Sequence, residues 1–198
     1  MRRVAGAVAA CLLLASCTSG GATGGTTAQD SHVDVDTPQL RGIKAEARVA
    51  PCRPGTGASE LPAVTLPCLG GGPAVDLSTL KGPLVVNLFA QWCGPCRKEL
   101  PFYQELHRKG RGVVRVVGVD YLDVQPQQAL ELAKAAGVTY PLLADPGGEL
   151  RVPLKARALP GVVFVKADGS TEVQFRVVGS YAELRGLVQD QLGVRLPA

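Results

Sequence analysis

Three short apolar segments follow one another in the chain from residue 84 onward. They cover residues 84–90, 113–119 and 162–165, and they are nearly continuous and rich in β-branched side chains. Such runs are typical of strands that are buried on both faces of a sheet. Helical patterns at 93–109 and 126–136 lie between them. The order β-α-β-α-β therefore predicts an α/β fold with right-handed crossovers.

The C-terminal part adds an antiparallel portion to this sheet. Ala167-Asp168-Gly169 predicts a tight hairpin between strands at 162–166 and 172–178. A final helix fits 181–192. Within the helix at 93–109, Pro101 removes one hydrogen bond, and we expect a local kink there.

The N-terminus has the pattern of an export signal. A basic start, Met1-Arg2-Arg3, precedes an apolar stretch over 4–15 that is too short to span a membrane as a helix. The stretch closes with Leu14-Ala15-Ser16-Cys17, which resembles a bacterial lipobox. We therefore expect a lipoprotein signal peptide over 1–16 and lipid on Cys17. Ordinary signal cleavage nearby, with Cys17 lost or free, is the alternative.

Composition separates a predicted tether from a predicted domain. Residues 17–50 are rich in Ser, Gly, Thr and Ala, so we expect a flexible tether there. Residues 51–198 have a length that suits one compact domain. The formal net charge is +4, and it becomes +2 without Arg2 and Arg3. This mild charge argues against a nucleic-acid partner.

The motif that carries chemistry is Trp92-Cys93-Gly94-Pro95-Cys96, between a predicted strand and a predicted helix. A helix N-terminus stabilises a thiolate, and a CxxC pair there typically titrates at about pH 7 or below. We expect Cys93 to be the nucleophile, and Cys96, one turn into the helix, to be the resolving thiol. Pro95 suits a first helical turn. Half a zinc site or a plain disulfide are alternatives, but no second CxxC or HxxxH supplies further ligands. No metal or cofactor is predicted.

Two further cysteines, Cys52 and Cys68, remain in the predicted domain. In an exported chain, two such cysteines most simply pair with each other as a structural disulfide. The closed loop would contribute roughly 3 kcal/mol if the bridge acts by restricting the entropy of the unfolded chain. A regulatory or second catalytic pair is the alternative, although neither cysteine belongs to a CxxC motif or lies at a predicted helix start.

The segment VVNLFAQWCGPCRKELP at 85–101 resembles the thioredoxin-fold proteins of the TlpA/ResA type. The resemblance extends over about 61–192, with Tyr140-Pro141-Leu142, Leu159-Pro160 and Ala167-Asp168-Gly169 in the expected order. It implies a thioredoxin fold, with a central mixed β-sheet flanked by helices and here an N-terminal extension. It also implies an exported, membrane-tethered thiol-disulfide oxidoreductase.

The resemblance assigns further residues to the site. It implies that Pro160 is cis beside the disulfide, where the preceding backbone pairs with a bound partner; an ordinary strand-edge proline is the alternative. Gly161 stands where relatives often have threonine, which changes the shape expected for the partner groove. Trp92, Gly94 and Pro95 complete the motif around the cysteines.

A base must take the proton of the resolving thiol. Cytosolic thioredoxins use a buried aspartate where this chain has Asn87. By alignment with other relatives, Asp123 is the nearest acidic candidate, with Asp120 close by. The alternative is that both are solvated loop carboxylates. We interpret Glu99 and His107 as surface side chains.

These observations predict an extracytoplasmic enzyme that exchanges disulfides with protein thiols. The Gly-Pro dipeptide is that of thioredoxin, with a potential of about −270 mV, whereas strong oxidants lie near −120 mV, so we expect a reductant. By resemblance, its substrates include apocytochrome c thiols in cytochrome c maturation, and a membrane thiol carrier supplies electrons. It would be anchored to the outer face of the cytoplasmic membrane by lipid on Cys17.

Other functions stay open beside this one. An oxidase or isomerase of exported proteins is the first alternative. The second is a non-enzymatic metal-binding lipoprotein, but copper carriers on this fold usually add a late histidine, and the last histidine here is His107. A peroxidase would need a Pro-x-x-x-Thr-x-x-Cys setting, which residues 86–93 lack. Arg97 stands where covalent haem would require histidine.

Overall fold

The structure is a computed structural model that describes residues 33–197. The predicted signal peptide at 1–16, Cys17 and the first part of the predicted tether lie outside the described residues. In chain order the elements are α1 Pro38–Glu46, β1 Thr65–Leu66, β2 Val75–Asp76, a 3₁₀ turn Leu77–Thr79, β3 Leu84–Phe89, α2 Gly94–Lys109, β4 Arg115–Tyr121, α3 Pro126–Ala135, β5 Leu142–Asp145, β6 Gly161–Val165, β7 Thr171–Gln174 and α4 Tyr181–Leu192.

A five-stranded mixed sheet forms the centre, in the order β5-β4-β3-β6-β7. Strands β3, β4 and β5 are parallel, whereas β6 and β7 are antiparallel to their neighbours. Every residue of β3 is buried, because both faces of the sheet are covered. Val85 and Phe89 pack on the side of α2, α3 and α4, and Leu84 and Leu88 pack on the opposite side. The predicted α/β class with a mixed sheet flanked by helices is confirmed.

Several element bounds differ from the sequence prediction. Strand β4 begins two residues later than predicted, because Val113 and Val114 both donate backbone hydrogen bonds to the carbonyl of Gly110 in a turn. The hairpin between β6 and β7 is confirmed, with Gly169 at a positive φ of 92°. Strand β7 ends at Gln174 instead of 178. Helix α4 has the predicted bounds, and α2 continues through Pro101 as one helix.

The predicted tether is wrong for residues 33–50. Thr37 caps α1 by accepting a hydrogen bond from the backbone N–H of Leu40, and Leu40 and Ile43 are buried. Helix α1 packs against α3, where Glu46 forms an ion pair with Lys134 at 2.7 Å. The physical reason is that apolar side chains recur at helical spacing in this part, so it buries enough surface to fold onto the domain. In the described part of the chain, no helix is long and apolar enough to cross a membrane.

Candidate active site

The two cysteines of the CxxC motif lie where β3 ends and α2 begins. Cys93 is the N-cap of α2, and its Sγ accepts a hydrogen bond from the backbone N–H of Cys96 at 3.2 Å. The two residues form a disulfide with a Cα–Cα distance of 5.3 Å. Pro95 lies in the first turn, where a missing N–H breaks no helical bond. On reduction, a Cys93 thiolate would lie at the N-terminal end of the helix dipole.

The disulfide is buried, whereas apolar side chains of the motif and of a neighbouring loop are exposed. Cys93 and Cys96 are both buried, whereas the Trp92 side chain is 54% exposed. The indole Nε1 of Trp92 donates to the carbonyl of Leu122 at 3.1 Å, so the ring is attached to the loop between β4 and α3. Val124 in the same loop is 60% exposed. Trp92 directly precedes Cys93, and Val124 lies in the loop that holds the indole of Trp92, so two exposed apolar side chains belong to the segments next to the motif.

Asp123 connects this loop to the segment before the cysteines. Its Oδ2 accepts from the backbone N–H of Gln91 at 2.7 Å, and its Oδ1 accepts from that of Gln125 at 2.9 Å. The side chain is buried, so the interpretation of Asp123 as a solvated carboxylate is wrong. Both oxygens are bound to backbone donors, which positions the loop that precedes Cys93.

Asp120 is also buried, and it lies inside β4, opposite Phe89 of β3. Within residues 33–197, neither of its carboxyl oxygens has a hydrogen-bond partner. Burial raises the pKa of Asp120 well above its usual range, and the negative charge of Asp123 adds to this effect. Burial therefore favours the protonated form of the Asp120 carboxyl, which lies beside Phe89 at the end of β3.

The expectation that Glu99 lies at the surface is wrong. Its side chain is 1% exposed, and Oε1 accepts from the backbone N–H of Val178 at 2.6 Å. Oε2 has no hydrogen-bond partner among the described residues. Burial raises the pKa of Glu99 to about 7; the Val178 bond opposes this shift, and the charge of Glu183 adds to it. Helical spacing could have revealed this position, because Glu99 shares the buried face of α2 with Cys96.

His107 and Asn87 both contact the side chain of Tyr140. His107 is half-buried near the C-terminal end of α2, edge-on to the ring of Tyr140 at 5.9 Å between centroids. Burial and the nearby Arg111 lower the pKa of His107. The buried Asn87 donates through Nδ2 to the hydroxyl of Tyr140 at 3.4 Å. Its amide has no proton to exchange in this pH range.

Pro160 precedes β6 at the end of the sheet that carries the active site. The Leu159–Pro160 peptide bond is cis, and Gly161 pairs with Leu88 near the end of β3. A Cβ at Gly161 would lie 3.0 Å from two ring carbons of Phe175 and 3.2 Å from Leu88 Cδ1. A side chain at Gly161 would therefore press against the ring of Phe175.

Cys52 and Cys68 form a second disulfide, with a Cα–Cα distance of 5.9 Å. Cys68 makes an isolated antiparallel bridge with Leu143 of β5. The disulfide therefore holds the segment that follows α1 against the β5 edge of the sheet. In residues 33–197, no three His, Cys, Asp or Glu side chains are grouped so that they could hold a metal ion.

Comparisons with known proteins agree with this geometry. A family described as the AhpC/TSA family matches residues 58–173. The thiol:disulfide interchange protein CycY of Rhizobium leguminosarum bv. viciae is 36% identical over 100 residues, which cover 50% of this chain and 52% of CycY. The thiol:disulfide interchange protein HelX of Rhodobacter capsulatus is 33% identical over 127 residues, which cover 63% of this chain and 69% of HelX. A solved structure of MTB DsbF aligns with a TM-score of 0.60 at 26% identity, over 69% of this chain and 99% of that one. The chain thus spans about half the length of CycY.

Proposed function

The chain belongs to the AhpC/TSA family of thioredoxin-fold proteins, and from this premise we propose that it is a thiol-disulfide oxidoreductase acting on protein thiols and disulfides. The observation that carries the proposal is the buried Cys93–Cys96 disulfide at the N-cap of α2. The similarity to two thiol:disulfide interchange proteins supports it.

The proposed reaction is an exchange in two steps. In the reduced protein, the Cys93 thiolate attacks a disulfide of the partner, and one partner sulfur leaves as a thiolate. The Cys96 thiol then loses its proton and attacks Cys93 Sγ, which releases the second partner sulfur. The partner gains two electrons, and the protein is left with the disulfide seen in the structure.

Two acidic residues have different roles in this proposal. Glu99 follows Cys96 by three residues on the same buried face of α2, and a pKa of about 7 suits a group that exchanges a proton near neutral pH. We assign it the proton of Cys96. Asp123 acts as a positioning residue, because its oxygens are bound to the backbone of Gln91 and Gln125.

The partner binds across the apolar surface beside the disulfide. Trp92 and Val124 offer exposed apolar side chains, and the backbone before the cis Pro160 leads into β6. A protein segment fits such a surface, because apolar contacts and backbone pairing together hold an extended chain. By the family resemblance, oxidised apocytochrome c cysteines are one such segment.

The proposal also covers the direction of electron transfer and the place of the protein in the cell. The Gly94-Pro95 pair between the cysteines is that of thioredoxin, which supports a reductant.

The protein would be exported by residues 1–16 and anchored by lipid on Cys17 at the outer face of the cytoplasmic membrane, where a membrane thiol carrier reduces it. Radiolabelled fatty acid should be incorporated into the full chain and not into a Cys17→Ser variant.

Trapping of the mixed disulfide tests the proposed reaction. A Cys96→Ser chain, once reduced, should hold a protein substrate covalently through Cys93, because the resolving step is lost. A Cys93→Ser chain is the matched control and should trap nothing. If Cys93→Ser trapped substrate as well as Cys96→Ser, the assignment of Cys93 as the nucleophile would be wrong.

A further inference from the structure

The second disulfide has a buried cation beside one of its sulfur atoms. Lys44 is 8% exposed, and its Nζ donates to Cys68 Sγ at 2.9 Å and to the carbonyl of Gly71 at 2.7 Å. No carboxylate in residues 33–197 forms an ion pair with Lys44. A disulfide sulfur is a weak acceptor, so apart from the Gly71 carbonyl the ammonium group has only the charge of Asp36, beyond ion-pair distance, to offset its burial among the described residues. A thiolate at Cys68 would supply a close anionic partner.

A cavity of about 310 Å³ opens beside the other cysteine of the pair. Cys52 lines this cavity and Cys68 does not, and Cys52 is 2% exposed, so the cavity lies on the Cys52 side of a buried disulfide. The walls are mostly apolar, and Arg53, Arg111 and Arg115 supply guanidinium groups. None of the described residues lining it has a carboxylate. This combination suits a small organic anion.

We propose that Cys52–Cys68 is a second thiol-exchange site, which accepts a small carboxylate-bearing thiol at Cys52 and releases Cys68 as a thiolate beside Lys44. The incoming thiolate forms a bond to Cys52 Sγ, and the Cys52–Cys68 bond breaks. The electron pair stays on Cys68, where the Lys44 ammonium group neutralises it. A second molecule of the small thiol, as its thiolate, then attacks the sulfur that came from the first molecule. The bond from that sulfur to Cys52 Sγ breaks, and the released Cys52 thiolate takes a proton from water.

The two steps oxidise two small thiols to one disulfide and reduce the protein pair. The surroundings decide which cysteine is attacked and which one leaves. A thiol with a lower pKa leaves faster, and a neighbouring cation lowers that pKa. Cys52 has a different environment, since its Sγ lies 3.2 Å from the carbonyl oxygen of Leu142, which would disfavour a thiolate there. The exchange does not depend on the Cys93–Cys96 pair.

Exchange with glutathione tests the proposal in the full chain with Cys93 and Cys96 replaced by serine. The reaction is quenched with acid at short times, free thiols are alkylated, and peptide fragmentation assigns each cysteine. We expect the glutathione adduct on Cys52 and the alkyl label on Cys68, without denaturant. Opening of the bridge only in denaturant, or a first adduct on Cys68, would overturn the proposal.

Variants of Lys44 show whether its ammonium group speeds the release of the Cys68 thiolate or whether a change at this position only loosens the fold. Lys44→Met should slow exchange about tenfold with both glutathione and the neutral thiol 2-mercaptoethanol. Lys44→Arg should restore part of the rate, and the exposed Lys166→Met is the matched control with an unchanged rate. A Lys44→Met chain that exchanges as fast as Lys166→Met would refute the role of the ammonium group.

The exposed arginines give a second test that does not disturb the core. Arg53→Gln combined with Arg111→Gln should slow glutathione about tenfold at low ionic strength and leave 2-mercaptoethanol unchanged. An equal effect on the two thiols would show that the cavity does not select an anion, and the proposed ligand class would be wrong.

Discussion

The buried carboxyl of Glu99 predicts a specific dependence of stability on pH. Its pKa is about 7 in the folded protein, whereas the ordinary pKa of a glutamate, expected in the unfolded chain, is 4.5. Between these values the folded state binds one proton more than the unfolded state, so the free energy of unfolding falls as pH rises. The slope is about 1.4 kcal/mol per pH unit, which gives a loss of up to about 3 kcal/mol between about pH 4.5 and pH 7. Above pH 7 this contribution is constant.

Replacement of Glu99 by Gln removes this titration and keeps an oxygen that can accept from Val178. The free energy of unfolding of Glu99→Gln, measured by urea denaturation of the oxidised protein, should therefore lack the decline. The difference between wild type and variant should change by up to about 3 kcal/mol in favour of the variant as pH rises from about 4.5 to 8. Glu105→Gln removes the same charge from α2 at a more exposed site, where Glu105 pairs with Lys109. A Glu99→Gln variant whose stability falls with pH as steeply as that of wild type would refute the reasoning.

Packing and hydrogen bonds lead to three further predictions. Asp123→Asn loses a charge-assisted bond to the backbone of Gln91, so urea denaturation should show a loss of about 1–2 kcal/mol; an unchanged midpoint would contradict the positioning role. Gly161→Thr should lose about 1–3 kcal/mol because of the ring of Phe175, and Phe175→Ala in the same chain should recover part of the loss in a double-mutant cycle; independent effects would show that the ring is not the cause. Leu40→Ala should cost about 2–5 kcal/mol in thermal or urea unfolding, since α1 is packed; a tether would show no loss.

The central strands could be predicted from the sequence because both of their faces are buried. A nearly continuous apolar run such as Leu84–Phe89 has few other uses in a domain of this size. The CxxC motif could also be predicted, because its position between a strand and a helix is a local feature of the sequence. Helix α4 begins after Ser180, whose side chain accepts from the backbone of Glu183, a local capping signal.

The errors arise where burial depends on distant parts of the chain. Helical spacing places Glu99 on the buried face of α2, but its hydrogen-bond partner is the backbone N–H of Val178, which is 79 positions away and which no local pattern indicates. The tether prediction averages composition over 17–50, which conceals the apolar positions of α1. The contact between Lys44 and Cys68 joins a helix to a loop through tertiary packing, so no local pattern indicates it.

The equilibrium reduction potential of the Cys93–Cys96 pair tests the central claim most directly. It is measured in the full chain by redox titration, with alkylation and peptide mapping to distinguish this pair from Cys52–Cys68, and with Cys93→Ser as the control. A pair that cycles with a potential below about −230 mV is the result that a protein-disulfide reductant predicts. A potential above about −180 mV would point to an oxidase or isomerase, and a pair that does not cycle would contradict the assignment as an oxidoreductase.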